Sequence, residues 1–556
     1  VTEYLKLKQS NCKNCYKCIR NCPVKSIRFG DNQANIISDA CILCGNCFVV
    51  CPQNAKQIRD DIPAAKALIA QGAPVYASVA PSFVANYAGV NMASLTKALG
   101  KLGFVGAEET ALGAELVKKQ YDAMVDAAKR GVIISSCCPT VNMLIQKYYP
   151  DALPYLAPVV SPMLAHCADL KRRHADAATV FIGPCISKKQ EAAHSKGVVD
   201  CALTFEELSA WLEAENVELG HEEEEAGSVS RLFPTAGGIL RSMSAANPDY
   251  VYMTVDGIEN CARTIEELLD GKPGKCFIEM SACTGSCVGG PAMDLSQRHP
   301  LRGALAVTRY AGKNDSGISC APEALKQDYP PLAAPRVHIS DDAIANVLRQ
   351  IGKTRPEHEL NCGSCGYNTC REKAIAVLQG KANLTMCLPF LKEKAESFSD
   401  NIIEHTPNAI IVLNESFAVQ QLNSAACAMM NIRDPRDVIG EPVVRILDPL
   451  PFANAYDKKQ NAYDKRLYLA DYGRYVDQTV IYDRDYHILI CIMRDVSEEV
   501  RQQQSKEALS RTTVEIADRM IEKQMRAVQE IASLLGETTA ETRIALTRLK
   551  ETLQDG

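Results

Sequence analysis

Cys12, Cys15, Cys18 and Cys22 stand in a Cys-x2-Cys-x2-Cys-x3-Cys-Pro run, and Cys41, Cys44, Cys47 and Cys51 repeat it. Thiolates at such intervals are ligands: sulfur is soft and anionic, and a tight loop brings several to one metal centre. Five further cysteines lie in three distant groups. Cys137 and Cys138 are in Ser-Ser-Cys-Cys-Pro, and Cys185 is in Gly-Pro-Cys-Ile-Ser-Lys-Lys. Cys283 and Cys287 are in Glu-Met-Ser-Ala-Cys-Thr-Gly-Ser-Cys-Val-Gly-Gly-Pro. No compact zinc-site spacing has this order, but a fold can converge thiolates from three loops on one buried inorganic cluster. A last group is Cys362, Cys365 and Cys370 in Cys-Gly-Ser-Cys-Gly-Tyr-Asn-Thr-Cys, with Cys387 beyond it. Four such thiolates suit an iron–sulfur cluster or a tetrahedral zinc.

The elements that position these groups are legible from pattern. A chain of 556 residues exceeds one core, so several domains are expected. Its net charge of −6 argues against nucleic acid as a partner. The opening Val-Thr-Glu-Tyr-Leu-Lys-Leu-Lys lacks the apolar stretch of a secretion signal. With the Cys-x-x-Cys repeats, that points to metal ligation in a reducing compartment, hence a cytoplasmic location and no membrane partner. The uncharged region Ala67 to Thr96 is broken by Pro74 and Pro81, so it reads as a buried strand and loops. From residue 60 to 330, apolar runs at Val75–Ala80, Val132–Ile134, Thr179–Ile182 and Val251–Val255 read as strands. Glu108–Lys129 and Val141–Tyr149 read as helices, which together suggest an α/β core with ligand groups on loops beyond strand ends. Residues 321–337, rich in Pro and Ala, read as a linker. Beyond 497 a charged stretch repeats Ile521, Met525, Val528, Ala532, Leu535, Thr539, Thr542, Leu546, Leu549 and Leu553 at alternating intervals, the seam of a coiled coil. A helix packed back on its own domain is the alternative.

Four resemblances follow. The paired runs resemble two-cluster ferredoxins, in which the fourth cysteine of each run serves the other cluster. That resemblance implies one 4Fe-4S cluster on Cys12, Cys15, Cys18 and Cys51 and another on Cys41, Cys44, Cys47 and Cys22. The three distant motifs resemble the FeFe hydrogenases, whose H-cluster joins a 4Fe-4S cubane to a two-iron subsite carrying CO, cyanide and an azadithiolate. By that resemblance Cys138, Cys185, Cys283 and Cys287 hold the cubane, and Cys287 bridges to the two irons. Cys137 passes protons, Lys188 faces one cyanide, and Ser82 with the backbone of Ala80 and Pro81 faces the other. The group from Cys362 to Cys387 resembles a four-cysteine 4Fe-4S domain, and 400–497 resembles a PAS sensor domain. The expected order is a multidomain α/β and α+β chain: ferredoxin module 1–58, H-cluster domain 59–333, 4Fe-4S domain 334–398, PAS domain 399–497 and signalling helix 498–556.

The departures from the hydrogenase pattern shape the expected function. Gly183 and Ser281 replace two methionines, and Val141 replaces a tryptophan. Of the family's proton path, Glu115 matches the inner glutamate, but Leu112 and Ala157 stand for the second glutamate and the serine. Leucine and alanine relay no protons. The chain therefore resembles the sensory FeFe hydrogenases: slow turnover of hydrogen and protons, with cluster redox state passed through PAS domain and helix to a signalling protein such as a kinase or phosphatase. A homodimer through the PAS domain and helix, a ferredoxin or other redox partner, and hydrogenase maturation enzymes go with that reading. A catalytic ferredoxin-linked hydrogenase and an iron–sulfur redox sensor without the two-iron subsite are the alternatives.

Overall fold

The structure is a computed structural model describing residues 4–8, 11–222, 227–244, 247–271, 274–332 and 339–554, without the side chains of 537–539 and 549–554. Two units are compact in themselves, Val1–Leu391 and Lys392–Gly556.

In the first unit, four short strands, β1 (Leu5–Leu7), β2 (Ile27–Gly30), β3 (Gln33–Ile36) and β4 (Lys56–Ile58), form the antiparallel pairs β1–β4 and β2–β3. The two cysteine runs between them each feed a one-turn helix, Lys17–Arg20 and Asn46–Val49, over the buried Ile19, Ile27 and Ile42. Gly45 enters the second helix at φ 79°, and a Cβ there would lie 2.4 Å from the Cβ of Pro291. The second cysteine run is thus pressed onto the motif that carries Cys283 and Cys287.

The α/β core has two parallel sheets. Its strands are β5 (Val75–Val79), β6 (Gly106–Glu109), β7 (Val132–Ile134), β8 (Ala178–Gly183), β9 (Cys201–Thr204), β10 (Val251–Asp256) and β11 (Cys276–Ser281), in the orders β6-β5-β8-β9 and β10-β11-β7. All three cysteine motifs follow carboxyl ends of strands, as parallel sheets present their ligand loops. The helix expected from Glu108 begins instead at Ala111, because Gly106–Glu109 pairs with β5 as an edge strand. An edge position lets Glu108 keep its charge, which Arg173 binds. Residues 321–332 differ from the expected free linker: Leu325 is buried, its carbonyl accepts from Val160 N at 2.9 Å, and Tyr329 donates to Val159 O. This strap is sequestered by its apolar side chains; residues 333–338 lie outside those described.

The four-cysteine segment packs on the ferredoxin-like module. Arg20 and Lys25 donate to carbonyls of Gly363, Ser364 and Gly366, and Phe29 N donates to Lys381 O. Cys370 opens the helix Cys370–Leu378, with Thr369 as its cap, and the next helix, Leu388–His405, starts directly after Cys387. The expected boundary at 398/399 falls inside that helix.

The second unit holds an antiparallel sheet of β12 (Ala409–Asn414), β13 (Val419–Leu422), β14 (Ala462–Leu469), β15 (Arg474–Asp483) and β16 (Ile488–Asp495), in the order β13-β12-β16-β15-β14. Ile411, Phe452 and Cys491 are in its core. A helix follows at Ser497–Gln554 with Ile521, Met525, Val528, Leu535 and Leu546 exposed along it; the side chains of Thr539, Leu549 and Leu553 lie outside those described. Among the described residues no helix is long and apolar enough to cross a membrane.

Candidate metal-cluster site

Strand β7 runs into Ser135–Cys138, and Cys138 is the N-cap of the helix Pro139–Tyr148, whose first residue is a proline already suited to that place. Strand β8 runs into Cys185, and β11 into Cys283 and the turn Ser286–Gly289 that holds Cys287. Cys137, Cys138, Cys185, Cys283 and Cys287 all line one cavity with about 890 Å³ of atom-free space, part of it open to solvent. Ala80, Pro81, Ser82 and Lys188 line it too. Nine expected site residues from three motifs and one loop are therefore adjacent in space, and Glu115 is not among them.

The electrostatics favour an anionic, sulfur-bound occupant. Lys188 is the one charged side chain on the cavity wall among the described residues. Burial pulls its ammonium down, but Glu191 (Nζ–Oε2 2.6 Å), Cys185 and Cys137 outweigh burial and hold its pKa above the ordinary value. Burial raises the thiols of Cys138, Cys283 and Cys287, each reinforced by its cysteine neighbours. Such thiols ionise only against a metal charge. Cys137 is pushed up to about 12, first by burial, against the opposing hydrogen bond of Tyr121 and the charge of Lys188. It stays a thiol and can carry a proton.

Three observations test the fit of an inorganic cofactor. Ser82 Oγ is buried on the wall with no hydrogen-bond partner among the described residues, a donor awaiting an acceptor. A Cβ on Gly290 would lie 2.6 Å from Pro184 O, so the chain closes the cavity floor only with glycine. No three His, Cys, Asp or Glu groups among the described residues converge on a single metal ion. Thiols spaced around a cavity suit a polynuclear cluster better than zinc. The residues present fit an iron–sulfur cluster with a further anionic part.

The other thiols continue the site. Cys22, Cys41 and Cys44 surround Cys47 closely enough to add to the rise that burial imposes on it. Cys12 and Cys15 do the same for Cys18, whose pKa reaches about 11. Leu43 and Cys44 lie on the cavity wall itself, and Cys44 adds to the shift of Cys283. Cys362, Cys365, Cys370 and Cys387 line a smaller pocket of their own. Tyr367 joins that pocket to the ferredoxin-like module: burial, then Cys365 and Cys22, raise its pKa. Thiol groups thus succeed one another from the four-cysteine pocket to the cavity.

Glu115 is not on the cavity wall. Its carboxylate accepts from Ser316 N (2.7 Å), Ser316 Oγ (2.6 Å), Gly317 N (3.0 Å) and Lys119 Nζ (3.0 Å), and its side chain is fully buried. Burial opposes its ionisation, and these four donors together outweigh burial. Leu112 faces a separate surface cleft, and Ala157 is buried away from the cavity. Gly183 makes room for the ring of Phe181, which lines the cavity: a Cβ there would lie 2.7 Å from Phe181 Cζ. Ser281 lines the wall and is paired with Ser286 Oγ at 2.8 Å. Sequence reasoning missed Thr110, Phe181 and Glu279. Glu279 is buried, accepts from Gly237 N and Leu240 N, and burial lifts its pKa to about 7 against those bonds. No motif marks Thr110 or Phe181, and Glu279 opens the motif of Cys283 and Cys287 without a ligand's side chain to single it out.

Comparison with known proteins agrees with this geometry. Residues 73–291 match the family of the iron only hydrogenase large subunit, C-terminal domain. Residues 4–63 match the 4Fe-4S dicluster domain, and 359–389 match an Fe-S cluster family. The NADP-reducing hydrogenase subunit HndD of Solidesulfovibrio fructosivorans is 23% identical over 332 residues, 46% of this chain and 56% of its own. The periplasmic Fe hydrogenase large subunit of Nitratidesulfovibrio vulgaris is 23% identical over 261 residues, 36% of this chain and 62% of its own. The cytosolic Fe-S cluster assembly factor NAR1 of Eremothecium gossypii is 34% identical over 161 residues, 26% of this chain and 35% of its own. The chain spans less than two thirds of the length of each of these relatives.

Proposed function

We propose that this FeFe-hydrogenase-like iron–sulfur protein, related also to NAR1, is a hydrogen sensor with slow hydrogen turnover. The observation that carries the reading is a single cavity lined by five cysteines from three motifs with one ammonium and no carboxylate on its wall. Cys138, Cys185, Cys283 and Cys287 would hold the cubane of an H-cluster, with Cys287 shared by the two-iron subsite. When bound, that group supplies reversible conversion of hydrogen to protons and electrons. The chain's own residues do the rest. Lys188 and Ser82 donate to its anionic ligands beside the backbone of Ala80 and Pro81, the apolar wall excludes water, and the Cys137 thiol holds a proton at the site.

Cys44 on the cavity wall would belong to the nearer ferredoxin-like cluster, and Cys387, a thiol of the four-cysteine pocket, directly precedes the helix Leu388–His405; clusters held there would supply electron transfer away from the cavity. We assign 400–497 as a PAS-type sensor and the helix Ser497–Gln554 as its output, pairing two copies through the apolar seam. A kinase or phosphatase in the cytoplasm would read it, maturation enzymes would load the two-iron subsite, and a ferredoxin would exchange electrons. A state-dependent output requires the two redox states to interact differently with that helix.

Infrared bands of metal-bound CO and cyanide in the purified, matured protein test the reading. With them present, hydrogen should alter hydrogen exchange at Asp495 to Val500, where the sheet passes into the helix. Bands with no such change leave a slow ferredoxin-linked hydrogenase. The 34% identity to an assembly factor favours a second reading, an iron–sulfur protein without the two-iron subsite, and absence of the bands would establish it.

A further inference from the structure

Protons need carriers at a cavity whose wall holds no acid among the described residues. Cys137 offers no way out: its partner Tyr121 (Oη–Sγ 3.2 Å) is fully buried and bonded only to Ser136 N and Oγ. Ser136 Oγ in turn donates to the carbonyl of Val159, and the Tyr329 hydroxyl, itself a donor to that carbonyl, is the further group in reach. Of the hydroxyls on the wall, Ser82 has no partner, and Ser281 and Ser286 bond each other. Thr140 leads through Ser187 back to the ligand Cys185. Thr110 is different. Its Oγ1 is 2.8 Å from Ser78 Oγ, Ser78 Oγ is 2.8 Å from His166 Nδ1, and His166 Nε2 is 3.2 Å from Glu108 Oε2. The carboxylate of Glu108 is 29% exposed and lines the surface cleft, where Arg173 also binds it.

The fold places these four groups in line for a simple reason. Glu108 is in β6 and Thr110 is the N-cap of the helix Ala111–Ala127 that follows it, so one strand-to-helix turn supplies both. Ser78 is on the neighbouring strand, paired with Glu108 in register. The helix Pro162–Arg173 carries His166 and packs on the helix Ala111–Ala127 so closely that a Cβ on Gly113 would lie 2.7 Å from the Cβ of His166. Ser78 and His166 are fully buried and Thr110 nearly so. Three buried polar side chains in an apolar layer are costly unless their hydrogen bonds are made, and here they are made along this line, with the Cys167 thiol as a further partner of Ser78.

We propose that Thr110, Ser78, His166 and Glu108 form a proton relay between the cluster cavity and solvent, by a route other than the one Glu115 belongs to. This rests on the reading that hydrogen is converted in the cavity. At rest Thr110 donates to Ser78, Ser78 donates to His166 Nδ1, and His166 Nε2–H donates to the carboxylate of Glu108. A proton arriving on Thr110 Oγ1 releases the Thr110 proton to Ser78, and the Ser78 proton goes to Nδ1. The resulting imidazolium gives its Nε2 proton to Glu108, which yields it to water. One proton enters and one leaves, and the imidazole ends with its proton on Nδ1 instead of Nε2. The resting polarity points outward, suiting release of protons from hydrogen oxidation.

The test uses the full chain with its clusters loaded. The readout is the rate at which the Cys137 S–H infrared band becomes S–D in heavy water, with CO and cyanide bands certifying an intact site. Thr110→Val, which keeps the shape and loses the hydroxyl, and Ser78→Ala should slow exchange by about tenfold or more, and Thr110→Ser should restore it. Glu108→Gln, at the half-exposed end, should slow it as well and serves where a buried variant does not fold. Wild-type exchange rates in Thr110→Val, Ser78→Ala or Glu108→Gln with the bands intact would overturn the relay alone. A wild-type protein without the bands overturns the relay together with the reading it rests on.

Discussion

At the cavity, burial raises Cys138, Cys283 and Cys287, and Lys188 is the one charge on the wall. At the four-cysteine pocket, Cys362 is exposed, and hydrogen bonds from Ser364 hold its thiol below the ordinary value. Both gather four thiols by short loops; their surroundings assign them different work. The cavity is walled mostly by apolar side chains, part of it opening to solvent, and there single hydrogen bonds govern proton supply. An open pocket can exchange electrons or change partners with little desolvation.

The largest expected effect strikes the cavity. Lys188→Met leaves Glu191, only 11% exposed, without its partner, and a buried carboxylate so stranded costs about 3–5 kcal/mol. Denaturant unfolding of the cluster-free protein measures it; a loss near zero would mean that the cavity is wetter than its lining implies. Next comes Cys137→Ala, which should keep the CO and cyanide bands and lower residual turnover about a hundredfold. Unchanged turnover in a fully loaded variant removes this thiol from proton transfer.

The open site should respond in the opposite sense. Cys362→Ser is expected to cost the iron and the electron paramagnetic signal of one cluster while the cavity's infrared bands stay as they are. Loss of those bands would show the two sites to be one cooperative assembly. The smallest effect concerns acid stability. Burial works against the charge of Glu108, but bonds from His166 and Arg173 bring its pKa from 4.5 to about 2. A folded-state pKa that is depressed contributes stability fully present above pH 4.5 and lost as pH falls toward 2. Partial exposure keeps that contribution small. Glu108→Gln should flatten this part of the stability profile; an unaltered acid limb would mean that solvent screens the pair completely.

The grouping of the cysteines was legible in the sequence. Spacing alone marked the cysteine groups, because a metal cluster demands particular residue types at intervals a loop can span. The Ser-Ser-Cys-Cys-Pro and Gly-Pro-Cys turns announced themselves by apolar runs ending just before them, the period of a buried parallel strand. Glu108 and Glu109 misled for a physical reason: acids ahead of a helical pattern resemble a helix start, yet pairing with β5 and an ion pair to Arg173 hold Glu108 in a strand. Residues 321–332 read as linker because Pro and Ala hide how well Leu325 and Tyr329 fill gaps between distant elements. Glu115 looked catalytic by alignment, and only the fold shows its carboxylate spent on Ser316, Gly317 and Lys119. Thr110, Ser78, His166 and Glu108 carry no motif at all. Their line exists because two strands pair in one register and one helix lies across them, and such contacts between residues far apart in the chain leave no local trace in its sequence.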